Sequence, residues 1–321
     1  MAYNRSAATT YAGNFWDRPC DDGVVWLTNA SINIEAQRRA KHAPAADGWE
    51  ARFVDDGSGA EMLAFVKSAP PATIPIQGWD GLADCAHFAS KCLQAGGVHI
   101  FDLGVPSLIG KLQARPDTKT LAERVNRGAG QRVVDSGILK PGDIIAYFNI
   151  APDGDYDGAQ AYSHSTMFHG KLNSSDDGRV TCHTISRSGT GRSSNTRYPD
   201  NWWLHDGYTY TFIHFSVDDN PITSFMQQIL EGWWRVDWAG KSYFYHILRD
   251  GRARYTFKPP SSENTQLSPG MAVNSAYIFQ NLNTFTFVWR KTGTIERWTP
   301  GPGDDWIVTI DGFSGSATKL F

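Results

Sequence analysis

Residues 84–97, DCAHFASKCLQAGG, spell a helix with both ends marked. Asp84 stands in the N-cap position, Phe88, Cys92 and Leu93 fall on one side at helical spacing, and Gly96-Gly97 stops the run. Cys85 therefore opens the first turn. There the unsatisfied backbone N–H groups and the positive end of the helix dipole favour thiolate over thiol, and the same N–H groups suit an oxyanion. Cys85 reads as a nucleophile, Asp84 as the helix cap beside it, and Cys92, mid-helix on the apolar side, as packing.

Downstream, ILKPGDIIAYFNI (138–150) is a β-branched run launched from a Pro-Gly turn. SHSTMFHGK (163–171) and RVTCHTISRS (179–188) read as two strands joined at Asp177-Gly178, and YTYTFIHFS (208–216) alternates as another. A nucleophilic cysteine needs a histidine delivered by the fold, and His164 opens the strand after the Pro-Gly-Asp strand. A third polar group must orient that imidazole, for which His183 on the next strand is placed. His169 is a competing base, and Cys182 falls on the packing face. Upstream, three helices are expected over 3–16, 32–43 and 55–69, and a further helical stretch over 108–132.

The segment VDDNPITS (217–224) marks a boundary, because the composition beyond it turns aromatic and β-patterned. Residues 242–257 alternate about Asp250-Gly251 and residues 283–298 about Thr292-Gly293, two hairpins of a small antiparallel sheet, barrel or sandwich. Six tryptophans fall there, Trp233, Trp234, Trp238, Trp289, Trp298 and Trp306. Half or more belong in a core, and the remainder suit stacking on a substrate's sugar rings. The expected layout is α+β, with residues 1–216 carrying the chemistry and 217–321 forming an all-β domain that binds substrate.

With 30 basic and 33 acidic residues the net charge is −3, which leaves no electrostatic footprint for nucleic acid or an anionic membrane. No apolar run of about 18 residues suggests membrane insertion. The N-terminus shows no basic stretch followed by an apolar one, so a chain made in the cytoplasm and exported by a non-Sec route, or released, is expected. Four cysteines without dense spacing default to free thiols.

The ordered pieces DCAHFASKCLQAGG, LKPGDIIAYF, SHSTMFHG, RVTCHT and YTYTFIHF resemble the amidase domain related to NlpC-type and CHAP cell-wall peptidases, over about residues 1–216. Ser163 stands where relatives often carry Asp. The resemblance implies a papain-like cysteine amidase core in which the nucleophile's helix packs on an antiparallel sheet. It implies Cys85 as nucleophile, His164 as general base and acid, and His183 as the orienting residue, with Gln77 or Trp79 as second oxyanion donor and substrate contact. The implied reaction is acyl transfer on an amide of peptidoglycan, in the stem peptide or at its junction with the sugar, in periplasm or cell wall and without a cofactor. A delivered antibacterial effector or lysin fits that reading, with export machinery and an immunity protein as partners.

A cysteine protease, deamidase or acyltransferase acting on a protein uses the same thiol and imidazole. A non-catalytic binding protein is the third reading. Asp153, Asp155, Asp157 and Gly158 copy the opening of a calcium loop, but its twelfth position is His164 where Glu is required. Zinc on Cys85, His164, His169 and His183 lacks any HExxH or paired C-x-x-C spacing, so no metal is assigned.

Overall fold

Strand is the commonest state among the described residues. The computed structural model describes residues 2–16, 20–22, 24–26, 49–55, 61–67, 84–149, 162–183, 200–202, 208–219, 229–261, 272–281, 284–302 and 305–320. Four α-helices lie among them: α1 (Arg5–Phe15), α2 (Cys85–Ala95), α3 (Val105–Gln113) and α4 (Arg127–Asp135). The first nine strands are β1 (Val24–Trp26), β2 (Trp49–Asp55), β3 (Glu61–Lys67), β4 (Thr118–Val125), β5 (Ile144–Asn149), β6 (Tyr162–Gly170), β7 (Arg179–Thr181), β8 (Asp200–Asn201) and β9 (Tyr208–Phe215). Eight more follow: β10 (Gly232–Trp238), β11 (Lys241–Ile247), β12 (Arg252–Thr256), β13 (Asn274–Asn281), β14 (Thr284–Trp289), β15 (Thr294–Pro300), β16 (Trp306–Ile310) and β17 (Phe313–Lys319).

This composition overturns the expected α+β papain-like core, a helix packed on a sheet. The protein is mostly β, with a closed eight-stranded antiparallel barrel and further sheet, and few helices. Two misread segments show why. Residues 55–69 carry the good helix formers Glu61, Met62, Leu63 and Ala64, yet Glu61–Lys67 pairs along its length with Trp49–Asp55 as an antiparallel strand. Pairing in a sheet outweighs helix propensity, which differs between such residues by only ~0.7 kcal/mol. Likewise the helix expected over 108–132 is interrupted, because Thr118–Val125 pairs with β9, leaving α3 before it and α4 after. The helix expected over 32–43 lies outside the described residues.

The chain divides into two compact units, residues 1–116 with 140–209, and residues 117–139 with 210–321. In the first, β1, β3 and β2 form a three-stranded antiparallel sheet, and β5, β6, β7 and β8 are neighbours in that order. The Pro-Gly-Asp turn before β5 anchors the N-terminal helix. Gly142 sits at φ +91°, where a Cβ would meet the Tyr3 hydroxyl at 3.0 Å, and that hydroxyl donates to the Gly142 carbonyl at 2.6 Å. Buried Asp143 takes a 2.6 Å charged hydrogen bond from Arg5. The motif that sequence ties to chemistry thus holds structure.

In the second unit β10 to β17 each pair with the next, and β17 pairs back to β10, closing the barrel. Alternation sorts the side chains: on β10 Trp234 and Val236 are buried while Arg235 is exposed, and on β14 Phe285, Phe287 and Trp289 turn inward. Asp311-Gly312 makes the last hairpin turn with φ of 48° and 84°, the double positive φ that a right-twisted two-residue hairpin requires. Five of the six tryptophans are buried. Only Trp238 is partly exposed.

Candidate functional site

Cys85 is the first residue of α2, as its sequence context demands, and it is 3% exposed. Strand β6 runs beside it: Ser165, one residue after His164, donates its hydroxyl to the Cys85 carbonyl at 3.2 Å across 80 residues of chain. The backbone N–H groups of Ser165 and Ala86 favour negative charge on the Cys85 sulfur. Burial opposes them and wins, with Cys182 and Asp84 adding repulsion, so the thiol is pushed up to about 12. The expectation of a resting thiolate fails on magnitudes. A helix N-terminus offers ~1 kcal/mol, whereas a three-unit rise corresponds to about 4 kcal/mol against ionisation.

His164 is buried on β6 with its ring 5.0 Å from that of Tyr147. Tyr147 in turn donates its hydroxyl to the Trp202 carbonyl, which fixes the phenol against the imidazole. His183 faces elsewhere. Its Nδ1 lies 2.6 Å from Asp84 Oδ2, its Nε2 meets the Phe15 carbonyl at the end of α1, and its ring stacks on Phe88 at 4.1 Å. Both ring nitrogens are engaged by those acceptors, so His183 orients nothing toward His164.

Asp84 occupies the N-cap position but makes no capping hydrogen bond with its side chain. Its other oxygen, Oδ1, lies 2.9 Å from His87 Nδ1. His87, which the motif reading passed over, is completely buried, and its Nε2 reaches Asp22 Oδ2 at 2.9 Å. Burial disfavours the His87 imidazolium, but the two carboxylates outweigh it and raise its pKa to about 9. Burial would likewise raise Asp84, yet His87 and His183 hold it down at about 2. A buried carboxylate bridging two imidazoles thus sits directly behind the nucleophile. Its sequence signal was the spacing of three between Asp84 and His87 on one helix face. Asp22 and Cys20 carried none.

Cys20, Asp84 and His87 form one group compact enough for a metal, with ligand atoms within 4.8 Å of one another. The donor set does not fit. His87 has both nitrogens committed to carboxylates, and burial raises the Cys20 thiol well above its ordinary value. Cys85, His164, His169 and His183 are not gathered into such a group among the described residues. His169 lies 2.9 Å from the Thr181 hydroxyl, and burial lowers its pKa to about 4, leaving a neutral ring. Cys92 and Cys182 are buried, and none of the four cysteines is joined in a disulfide. Gln77, Trp79, Asp153, Asp155 and Asp157 lie outside the described residues.

No family model, curated protein or solved structure matches this chain. What the site can do therefore rests on its own chemistry: one buried thiol at a helix start, backbone N–H groups aimed at its sulfur, and a histidine strand alongside.

Proposed function

We propose that the protein is a cysteine-dependent amide hydrolase with Cys85 as nucleophile and His164 as general base. The observation that carries this reading is the approach of β6 to Cys85, which brings the Ser165 N–H to the sulfur and ties the Ser165 hydroxyl to the Cys85 carbonyl. His164 is the residue before Ser165, so the same strand delivers base and N–H donor together.

Because burial keeps the proton on sulfur at rest, attack is assisted by general base and does not start from a stored ion pair. His164 takes the Cys85 proton as the sulfur bonds to the carbonyl carbon, and the helix-start N–H groups receive the oxyanion. His164 returns the proton to the departing amine, leaving a thioester. Water then adds with His164 again as base, releasing the acid and restoring the thiol. The Asp84, His87 and His183 cluster positions the start of α2 and touches no reacting atom.

The substrate we propose is an amide of peptidoglycan, on the strength of the ordered motifs around Cys85, His164 and His183. Purified sacculi incubated with native, Cys85→Ala and His164→Ala protein, with released fragments read by mass spectrometry, test it. Cleavage by the native form alone is expected, and the fragment masses identify the bond. Equal release by native and Cys85→Ala protein sinks the reading.

A further inference from the structure

One end of the barrel holds a cavity of about 170 Å³ that the hydrolase reading does not use. It is built where the β10–β11, β14–β15 and β16–β17 hairpins turn. Trp238, Tyr243 and Tyr255 form its rim, and Tyr245, Trp289 and Glu296 its floor. The mouth of an eight-stranded barrel is a usual place for one small ligand. This space is of the order of the ~150 Å³ cavity that accepts benzene.

The rings stand as walls. Tyr243 meets Tyr255 at 76°, Tyr255 meets Trp289 at 87°, and Tyr245 meets Trp289 at 76°, with centroids 5.8, 5.1 and 5.0 Å apart. Tyr245 meets Tyr255 at 37° and Trp238 meets Tyr243 at 51°, so the lining is not one flat platform of the kind a sugar stacks on, and a compact cation is the group that a cluster of differently inclined rings suits.

Charge points the same way. Among the described residues no Lys, Arg or His lines the cavity. Glu296 is completely buried in the barrel and accepts from the Tyr245 hydroxyl at 2.9 Å, Trp289 Nε1 at 2.8 Å and Trp298 Nε1 at 2.5 Å. Those donors satisfy its oxygens, but among the described residues no cation balances its charge, and burial pushes its pKa up despite all three. Asp311 at the lip faces Arg132 at 3.8 Å.

The hydrogen-bonding groups select further. Asn274 Oδ1 already accepts from the Ser275 and Lys291 N–H groups, and Thr292 Oγ1 from Asn274 and the Thr294 N–H. Of the two carboxylates lining the cavity, Asp311 at the lip is half exposed and Glu296 at the floor has its oxygens engaged, so at the floor a cation without N–H donors forgoes no bond.

We propose that this barrel mouth binds a small quaternary ammonium compound, held by the Trp238, Tyr243, Tyr255 and Trp289 rings over the Glu296 carboxylate.

Titration calorimetry of the whole protein with choline, and with its uncharged carbon isostere 3,3-dimethylbutan-1-ol, isolates the charge. Saturable choline binding at least ~10-fold tighter than the isostere is expected, since cation–π contacts are strongest in a desolvated site. Trp238→Ala, at the partly exposed rim, is expected to weaken choline ~5-fold or more while the thermal unfolding transition stays in place. Glu296→Gln should narrow the preference for choline over the isostere. Equal binding of choline and the isostere, absence of saturable choline binding, or binding unaffected by Trp238→Ala each overturns the proposal. N-acetylglucosamine binding that excludes choline from the same site overturns it in favour of a sugar.

Discussion

Alkylation of Cys85 as a function of pH separates the burial of this thiol from its place at a helix start. With a pKa of about 12, roughly three thiols in 100,000 are ionised at pH 7.5, against about three in 100 for one at the ordinary value of about 9. Iodoacetamide should therefore modify Cys85 about 1,000-fold more slowly than a small free thiol at that pH. The rate should climb about tenfold per pH unit, with no plateau below pH 10. Peptide mapping by mass spectrometry after timed quenching reads the rate at each cysteine separately. The same shift carries a stability consequence with a definite sign. A thiol whose folded pKa lies above its unfolded value leaves stability unchanged below about pH 9 and removes it as pH rises toward 12. At pH 10.5 the loss is about 2 kcal/mol, and Cys85→Ala abolishes that part of it. A labelling inflection below pH 8 would falsify the account, because it would mean that the N–H groups of Ala86 and Ser165 outweigh burial. Slow labelling beside rapid turnover is the pattern that a general-base mechanism requires.

Asp84→Asn leaves His87 and His183 without their shared carboxylate and is expected to cost about 3–5 kcal/mol in urea unfolding. A loss under 1 kcal/mol would show the cluster to be incidental. His87, held up at about 9, contributes stability that is complete below about pH 6.5 and is lost as pH rises through 9. His87→Gln should flatten unfolding midpoints measured over that window. Asp84, held at about 2, acts oppositely, its share present above about pH 4 and lost as acid approaches pH 2. In the barrel, Glu296→Ala strips the acceptor from three buried donors and should cost about 3 kcal/mol or more by chemical denaturation, while Arg235→Ala on the exposed face of β10 should stay within ~0.5 kcal/mol.

Four of the barrel's eight strands were legible in the sequence. Hairpins centred on Asp250-Gly251 and Thr292-Gly293 form where alternation and turn residues put them, because both signals are local and a period of two survives any tertiary context. Closure was not legible. It depends on β17 returning to β10, a pairing between residues about 80 apart that no local pattern encodes. The start of α2 at Cys85 was likewise written in its neighbours, from Asp84 to Gly96-Gly97.

What the sequence by itself determined is that helix, the strands β5, β6 and β9, and the identity of the thiol that opens α2. The tertiary structure alone decided the mostly β fold, since the pairing of β2 with β3 and of β4 with β9 overrode helix-forming residues. It alone decided the state of the site as well. Asp84 in the N-cap position turned from capping to bridging His87 and His183 because those rings arrive beside it from the next helical turn and from 99 residues away. The ionisation of Cys85 was settled in the same way: dipole and donors are local and small, whereas the desolvation that outweighs them exists only when the rest of the chain has closed over the sulfur.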